Sequence, residues 1–146
     1  MASYEKRTWW SRNRLTERLA NDTFLEAAIN SAFLIAASDG SASEVEYDAL
    51  LDRLEILGGI DRDKIDEQLS SAARLLEETD TATRVAHVGS LIADRADAEA
   101  VMMLGLAVAL ADNEVTPEER EIASQLAAGI GLGVLDLDAM LIEIRG

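Results

Sequence analysis

Residues 28–57, AINSAFLIAASDGSASEVEYDALLDRLEIL, and residues 101–130, VMMLGLAVALADNEVTPEEREIASQLAAGI, lie on one another without a gap when the sequence is shifted by 73. The agreements fall where a helical unit needs them: Phe33 meets Leu106, Ile35 meets Val108, Ala36 meets Ala109, Asp39 meets Asp112, Ser43 meets Thr116, Glu46 meets Glu119, and Leu57 meets Ile130. A two-residue slip then sets IDRDKI (60–65) on LDLDAM (135–140). The chain reads as an internal duplication of a three-helix unit. Chance likeness between two amphipathic helix pairs is the competing explanation.

Outward from the repeat, apolar residues recur at spacings of three and four, and no period-2 alternation rich in β-branched residues interrupts them, so the fold class is all-α. Caps and breakers predict helices over about 8–20, 23–38, 44–57, 62–77, 82–93, 97–111, 117–130 and 137–145, a compact bundle of seven to eight helices. Thr23 with Glu26 has the spacing of a capping box, and Gly58-Gly59 suits a left-handed helix end. Small residues stand four apart at Ala28, Ala32 and Ala36 and again at Gly105 and Ala109. Such stripes let helix axes approach closely where ridges interdigitate. Gly105, costly inside a helix, is what Ala's helix propensity alone leaves unexplained. These two helices are therefore expected to form the central contact.

The 146 residues, 49% of them hydrophobic, suffice for one core without disulfides. No Cys and a single His, His87, exclude thiol catalysis, disulfide frameworks and zinc fingers, and leave almost no room for a Ser-His-Asp triad. No apolar run approaches the roughly 20 residues of a membrane span, and the start of the chain lacks the order of a signal peptide, so a cytoplasmic protein is expected. The net charge of −15 is uneven: in residues 1–20, Lys6, Arg7, Arg12, Arg14 and Arg18 stand against Glu5 and Glu17, giving +3 and leaving −18 for the remainder. Residues 1–20 thus read as a basic helix or arm and 21–146 as the helical domain. An acidic body repels phosphate backbones, so nucleic acid is not the expected partner, whereas cations and basic protein surfaces are favoured.

Both repeat junctions fit D-[GN]-x-x-[ST]-x-x-E. Most of this pattern is helix punctuation. Gly40 or Asn113 tolerates positive φ where one helix stops; Ser43 or Thr116 caps the next; Glu46 or Glu119 closes a capping box; Pro117 suits the first helical position. Asp39 and Asp112 are the remainder, since a carboxylate at a helix C-terminus opposes the macrodipole at a cost of roughly 0.3–1 kcal/mol. Two readings stand: each accepts N–H bonds from the turn ahead, or each binds a cation with neighbouring carboxylates and loop carbonyls. Oxygen ligands of this kind suit Ca²⁺ or Mg²⁺. The order and spacing are not those of an EF-hand.

The segments FLIAASDGSASEVEYDALLDRL and GLAVALADNEVTPEEREIASQLAAGIGL resemble the two signature segments of the TerB family, the tellurite-resistance-associated all-helical proteins, over about residues 24–135. The resemblance implies a compact α-helical fold, an acidic surface proposed to bind metal ions, and work beside membrane and stress-response partners. Carried over by position, the family's acidic signature falls on Asp39, Glu44, Glu46, Asp112, Glu118 and Glu119, with Asn113 in place of the usual second-corner Gly. A related fold occurs in the N-terminal domain of certain membrane-anchored DnaJ-type co-chaperones, so fold alone does not fix function. Tellurite is an anion, and an acidic surface gives no physical reason for it to bind directly.

Three other features complete the reading. Trp9 and Trp10 among Lys6, Arg7, Arg12 and Arg14 either dock on the acidic body or place the N-terminal segment against a partner or an anionic membrane face, a peripheral contact at the inner surface. His87 has Arg84 rather than Glu three residues before it, so the Glu-x-x-His signature of di-iron bundles is missing and a structural His is expected. The glycines at 58–59 and 129–133 lack the Lys-Ser/Thr of a phosphate loop. The expectation is a non-enzymatic protein of the TerB kind, binding a divalent cation weakly and serving as an adaptor. A metal-free helical interaction module is the alternative.

Overall fold

The computed structural model describes residues 21–37, 48, 51, 52, 55, 61–109 and 116–145. Six helices are seen there: α1 (Asp22–Ala36), α2 (Arg62–Glu78), α3 (Thr81–Ser90), α4 (Arg95–Ala109), α5 (Pro117–Gly129) and α6 (Val134–Arg145). No strand occurs among the described residues. Of the eight expected helices, the one over 8–20 lies outside the described residues, as does most of that over 44–57, where residues 48, 51, 52 and 55 are helical. The class and the placement of the other six agree with the sequence reading.

Helix α1 is the spine. Its residues are apolar nearly all round, the pattern of a helix enclosed by others; Leu25, Ile29 and Ile35 are fully buried, and only its N-terminal turn is exposed. Its most extensive contact is with α4, and α2, α5 and α3 also pack against it. Truncating a side chain such as Leu25 or Ile29 to Ala in a site of this kind costs roughly 2–5 kcal/mol, for lost burial and for the cavity left behind. The core continues through Ile65 and Leu69 of α2, Met102 and Leu104 of α4, and Leu126 of α5, all fully buried.

The α1–α4 crossing is close for the reason expected. A Cβ added at Gly105 would sit 3.1 Å from Ser31 Cβ and 3.4 Å from Ala32 N. Ser31 is itself buried, with its hydroxyl turned back to Ala27 O at 2.8 Å, so no polar group is orphaned at the crossing. The two helices are also displaced by the repeat interval: Asp22 to Arg95 and Ala36 to Ala109 are both steps of 73.

Two local readings are corrected. The cap of α1 is Asn21, whose side chain accepts Thr23 N at 2.9 Å and Phe24 N at 3.2 Å, so Thr23 lies within the helix and the Thr23–Glu26 box does not form. The amide of Asn21 captures the free N–H groups one turn earlier, and Glu26 is used elsewhere. Helix α6 begins at Val134 rather than 137, because Asp136 reaches back from the first turn to accept Gly133 N at 2.9 Å. Asp61 by contrast stands ahead of α2 as its N-cap. The slip that matched Asp61 to Asp136 therefore joins two capping carboxylates at different helical positions.

Candidate functional site

The candidate site is the acidic corner at the start of α5. Thr116 is extended, at φ −76° and ψ 159°, and its Oγ1 accepts Glu119 N at 3.1 Å, while Glu119 Oε1 accepts Thr116 N at 2.9 Å. This reciprocal pair satisfies two backbone donors that the first turn of a helix otherwise leaves open. Pro117, with no N–H to lose, follows the cap. Glu118 is exposed, whereas Glu119 is buried at 8% exposure. The two neighbours therefore do different work: Glu118 presents charge to solvent, and Glu119 holds the chain.

Of the six acidic positions carried over by position, Glu118 and Glu119 are described; Asp39, Glu44, Glu46 and Asp112 lie outside the described residues, as do Trp9, Trp10 and the first corner's Ser43. Among the described residues no cluster of three or more His, Asp or Glu side chains is arranged to hold a metal ion. The carboxylates of the signature are hard oxygen donors and fit Ca²⁺ or Mg²⁺ in kind. A cation using Glu119 would have to share its carboxylate with the helix cap.

The corner is braced from the far side. Arg120 pairs with Asp138, tying α5 to α6, and Arg95 donates to Asp136 at 2.9 Å and pairs with Glu99 at 3.2 Å, tying α4 to α6. The Gly133 N–H, and after it the Arg95 guanidinium, hold the Asp136 carboxyl below its ordinary value. Gly131, at φ +91°, makes the turn between α5 and α6, a conformation glycine takes without steric cost.

A second polar set, missed by spacing, lies where α3 crosses α1. His87 Nε2 is 2.7 Å from Glu26 Oε2, both side chains being about one-third exposed. The acidic partner sought within one helix is thus supplied 61 residues away. One turn earlier, Arg84 Nη1 donates to Leu76 O at 2.8 Å and to Thr79 O at 2.5 Å, and Nη2 to Thr81 Oγ1 at 3.2 Å. The guanidinium covers the carbonyl end of α2, where a cation is favoured by the dipole. Burial pushes its pKa down, and Asp80 offsets this in part.

Helix α3 also meets α5 more closely than α1 meets α4. A Cβ at Gly129 would lie 2.2 Å from Val85 Cγ1, and one at Gly89 would lie 2.9 Å from Gly129 O. Read from sequence as a helix-end residue, Gly129 is in addition the floor of a helix crossing. Among the described residues no helix is long and apolar enough to cross a membrane.

No curated protein and no solved structure matches the chain. The family model described as tellurite resistance protein TerB matches residues 25–141, a span holding both repeats, the α1–α4 crossing and the acidic corner. The chain therefore belongs to the TerB family.

Proposed function

We propose that the protein is a non-enzymatic member of the tellurite-resistance-associated family that binds a divalent cation weakly at its paired acidic corners and acts as an adaptor in a metal-stress complex beside the membrane. The observation that carries this reading is the family match across both repeats. With it go the net charge of −15 and the Asp, which a helix-turn-helix corner does not require, standing in each corner at Asp39 and Asp112. The basic N-terminal segment with Trp9 and Trp10 would supply the peripheral contact with a partner or with the anionic inner membrane face, the latter reached from the cytoplasm.

The metal-free interaction module is favoured by a different observation: Glu119, one of the six signature acids, is buried and serves as the reciprocal cap of α5. If its counterpart Glu46 does likewise, two of the six positions are structural. The two readings separate in a Ca²⁺ and Mg²⁺ titration of the wild type against Asp39→Asn/Asp112→Asn, followed by NMR shifts and melting temperature. A ligand that binds only the folded state at 100 times its Kd stabilises by about 2.7 kcal/mol. Localised shifts and a rise in Tm in the wild type alone support the cation site. Their absence at millimolar metal leaves the metal-free module.

A further inference from the structure

Helices α1 and α4 hold equivalent places in the two repeats, and they cross at equivalent residues. A Cβ at Gly105 would lie 3.4 Å from the backbone N of Ala32, which stands 73 positions before it. A residue that touches its own equivalent lies at a two-fold axis. The halves therefore face each other across an approximate dyad, and each contact made on α1 should have a counterpart on α4.

Helix α1 is enclosed by α4, α2, α5 and α3. Of the described helices, α1 and α6 are those that pack extensively on α4, yet every residue from Ala100 to Leu106 is buried. Helix α6 is the counterpart of α2, and the helical positions 48, 51, 52 and 55, of which Leu51 is buried, fall in the counterpart of α5. One side of α4, the place that α3 takes on α1, is left to fill.

The repeat interval names the occupant. Helix α3 runs from Thr81 to Ser90, and 73 positions earlier stand residues 8–17, inside the helix expected over 8–20. Thr8 meets Thr81, Leu15 meets the buried Val88, and Leu19 meets the partly buried Ile92. The polar contact is repeated too: His87 and Glu26, 2.7 Å apart, become Arg14 and Glu99, again a basic group opposite a Glu. Glu99 is 40% exposed, and Arg95, 3.2 Å away on the same helix, engages one of its two oxygens. The other can accept Arg14. Val85 meets Arg12 and Gly129 meets Ile56, so the close glycine crossing of α3 with α5 is not repeated and the hold passes to the two leucines.

We propose that residues 8–19 form the counterpart of α3, docked on α4 through Leu15 and Leu19 with Arg14 paired to Glu99. The charge of +3 in residues 1–20 against −18 in the remainder favours the same contact. Trp9 and Trp10 match Ala82 and Thr83, both exposed on α3. The docked helix thus keeps the Trp pair on its outer side, where a membrane face or a partner can reach it.

The test uses the full ¹⁵N-labelled chain without metal or membrane, so its failure leaves the cation-site reading standing. The chain has no Cys, and a nitroxide can therefore be placed at Ala96→Cys on α4 or, as reference, at the equivalent Thr23→Cys on α1, both exposed positions. The label at 23 should weaken the amide peaks of α3, and the label at 96 those of residues 8–19 in a matching pattern. Leu15→Asp/Leu19→Asp should restore these peaks, whereas Trp9→Ala/Trp10→Ala should leave them weakened. Arg14→Glu should restore them in part, and adding Glu99→Arg should weaken them again, a rescue that serves if the double Leu variant does not fold. The proposal is overturned if the label at 96 leaves residues 8–19 unaffected, or if the reversed charge pair brings no rescue. It is equally overturned if the Trp variant releases the segment and the Leu variant does not.

Discussion

Helices α4 and α3 are held against the rest of the molecule in opposite ways. Helix α4 lies along α1 through a long apolar crossing in which every described residue from Ala100 to Leu106 is buried. Helix α3 buries only Val85 and Val88. Its position is fixed by the glycine contact with α5, the Arg84 and His87 bonds, and its cap at Asp80. A broad apolar contact tolerates local error because many atoms share it. A contact made of a few short approaches does not, so at α3 even an added methyl group should tell.

Of the changes that test this contrast, the largest effect is expected at the α3–α5 crossing. Gly129→Ala brings a methyl to 2.2 Å from Val85 Cγ1, and a helical Val has essentially one χ1 rotamer with which to respond. Overpacking of this kind costs about 1–3 kcal/mol, or a fall in Tm of roughly 2–12 °C at this chain length. Gly105→Ala at the α1–α4 crossing sets a milder approach, 3.1 Å, against a gain in helix propensity of about 0.8–1 kcal/mol. It should leave stability within about 1 kcal/mol of the wild type. A thermal melt of the two variants decides the matter: if Gly105→Ala is the more damaging, the contrast between the two crossings is reversed.

That contrast bears on what could be read from the residues. The α1–α4 crossing was legible because its cause is periodic: small residues at every fourth position in a duplicated helix leave one close-packing solution. The capping box at Thr116, Pro117 and Glu119 was legible because all its parts are local, but the equally local caps at Asn21 and at Gly133 with Asp136 were misread, since neighbouring residues competed for the same role. The α3 contacts were not legible, because their partners are far apart in sequence. Val85 against Gly129 and His87 against Glu26 have no common motif, and only the fold brings them together. The same limit applies to the candidate site. Local rules assigned Glu119 its place in the cap, but they carry no information on whether the corner's remaining carboxylates converge, which depends on packing between repeats.

The next effect in size concerns the corner itself. Thr116→Ala removes one side of the capping box and should cost about 1 kcal/mol, measured by urea unfolding. Because Glu119 is buried and reciprocally bonded, Thr116→Ala should also loosen Glu119 and raise amide exchange across the first turn of α5. Smaller still is the effect of the α1–α3 contact between His87 and Glu26. Exposed and half-exposed pairs contribute roughly 0.2–1 kcal/mol, so His87→Ala should destabilise by no more than that. Comparing Glu26→Ala with the double variant in a mutant cycle isolates the coupling. A coupling beyond about 1 kcal/mol would mean that the polar set, not Val85 and Val88, is the main hold on α3.

The smallest expected effect lies at the start of α3, and pH reveals it better than a single melt. The Thr83 hydroxyl, and then its backbone N–H, hold the Asp80 carboxyl below its ordinary 3.8, with the N–H bond at 2.8 Å. A carboxyl lowered in the folded state contributes stability that is fully present above its unfolded pKa and lost as pH falls through the folded value. In the wild type, then, this contribution should be intact at neutral pH and fade below about pH 4. Asparagine caps nearly as well as aspartate but does not titrate in this range. Asp80→Asn should therefore match the wild type closely at pH 7 and show a shallower loss of stability between pH 4 and 2. Helix α4 has no such lever at its crossing with α1, whose apolar contacts do not titrate. If the acid limb is the same in both proteins, the cap of α3 is held by the hydroxyl and backbone geometry rather than by the carboxylate charge.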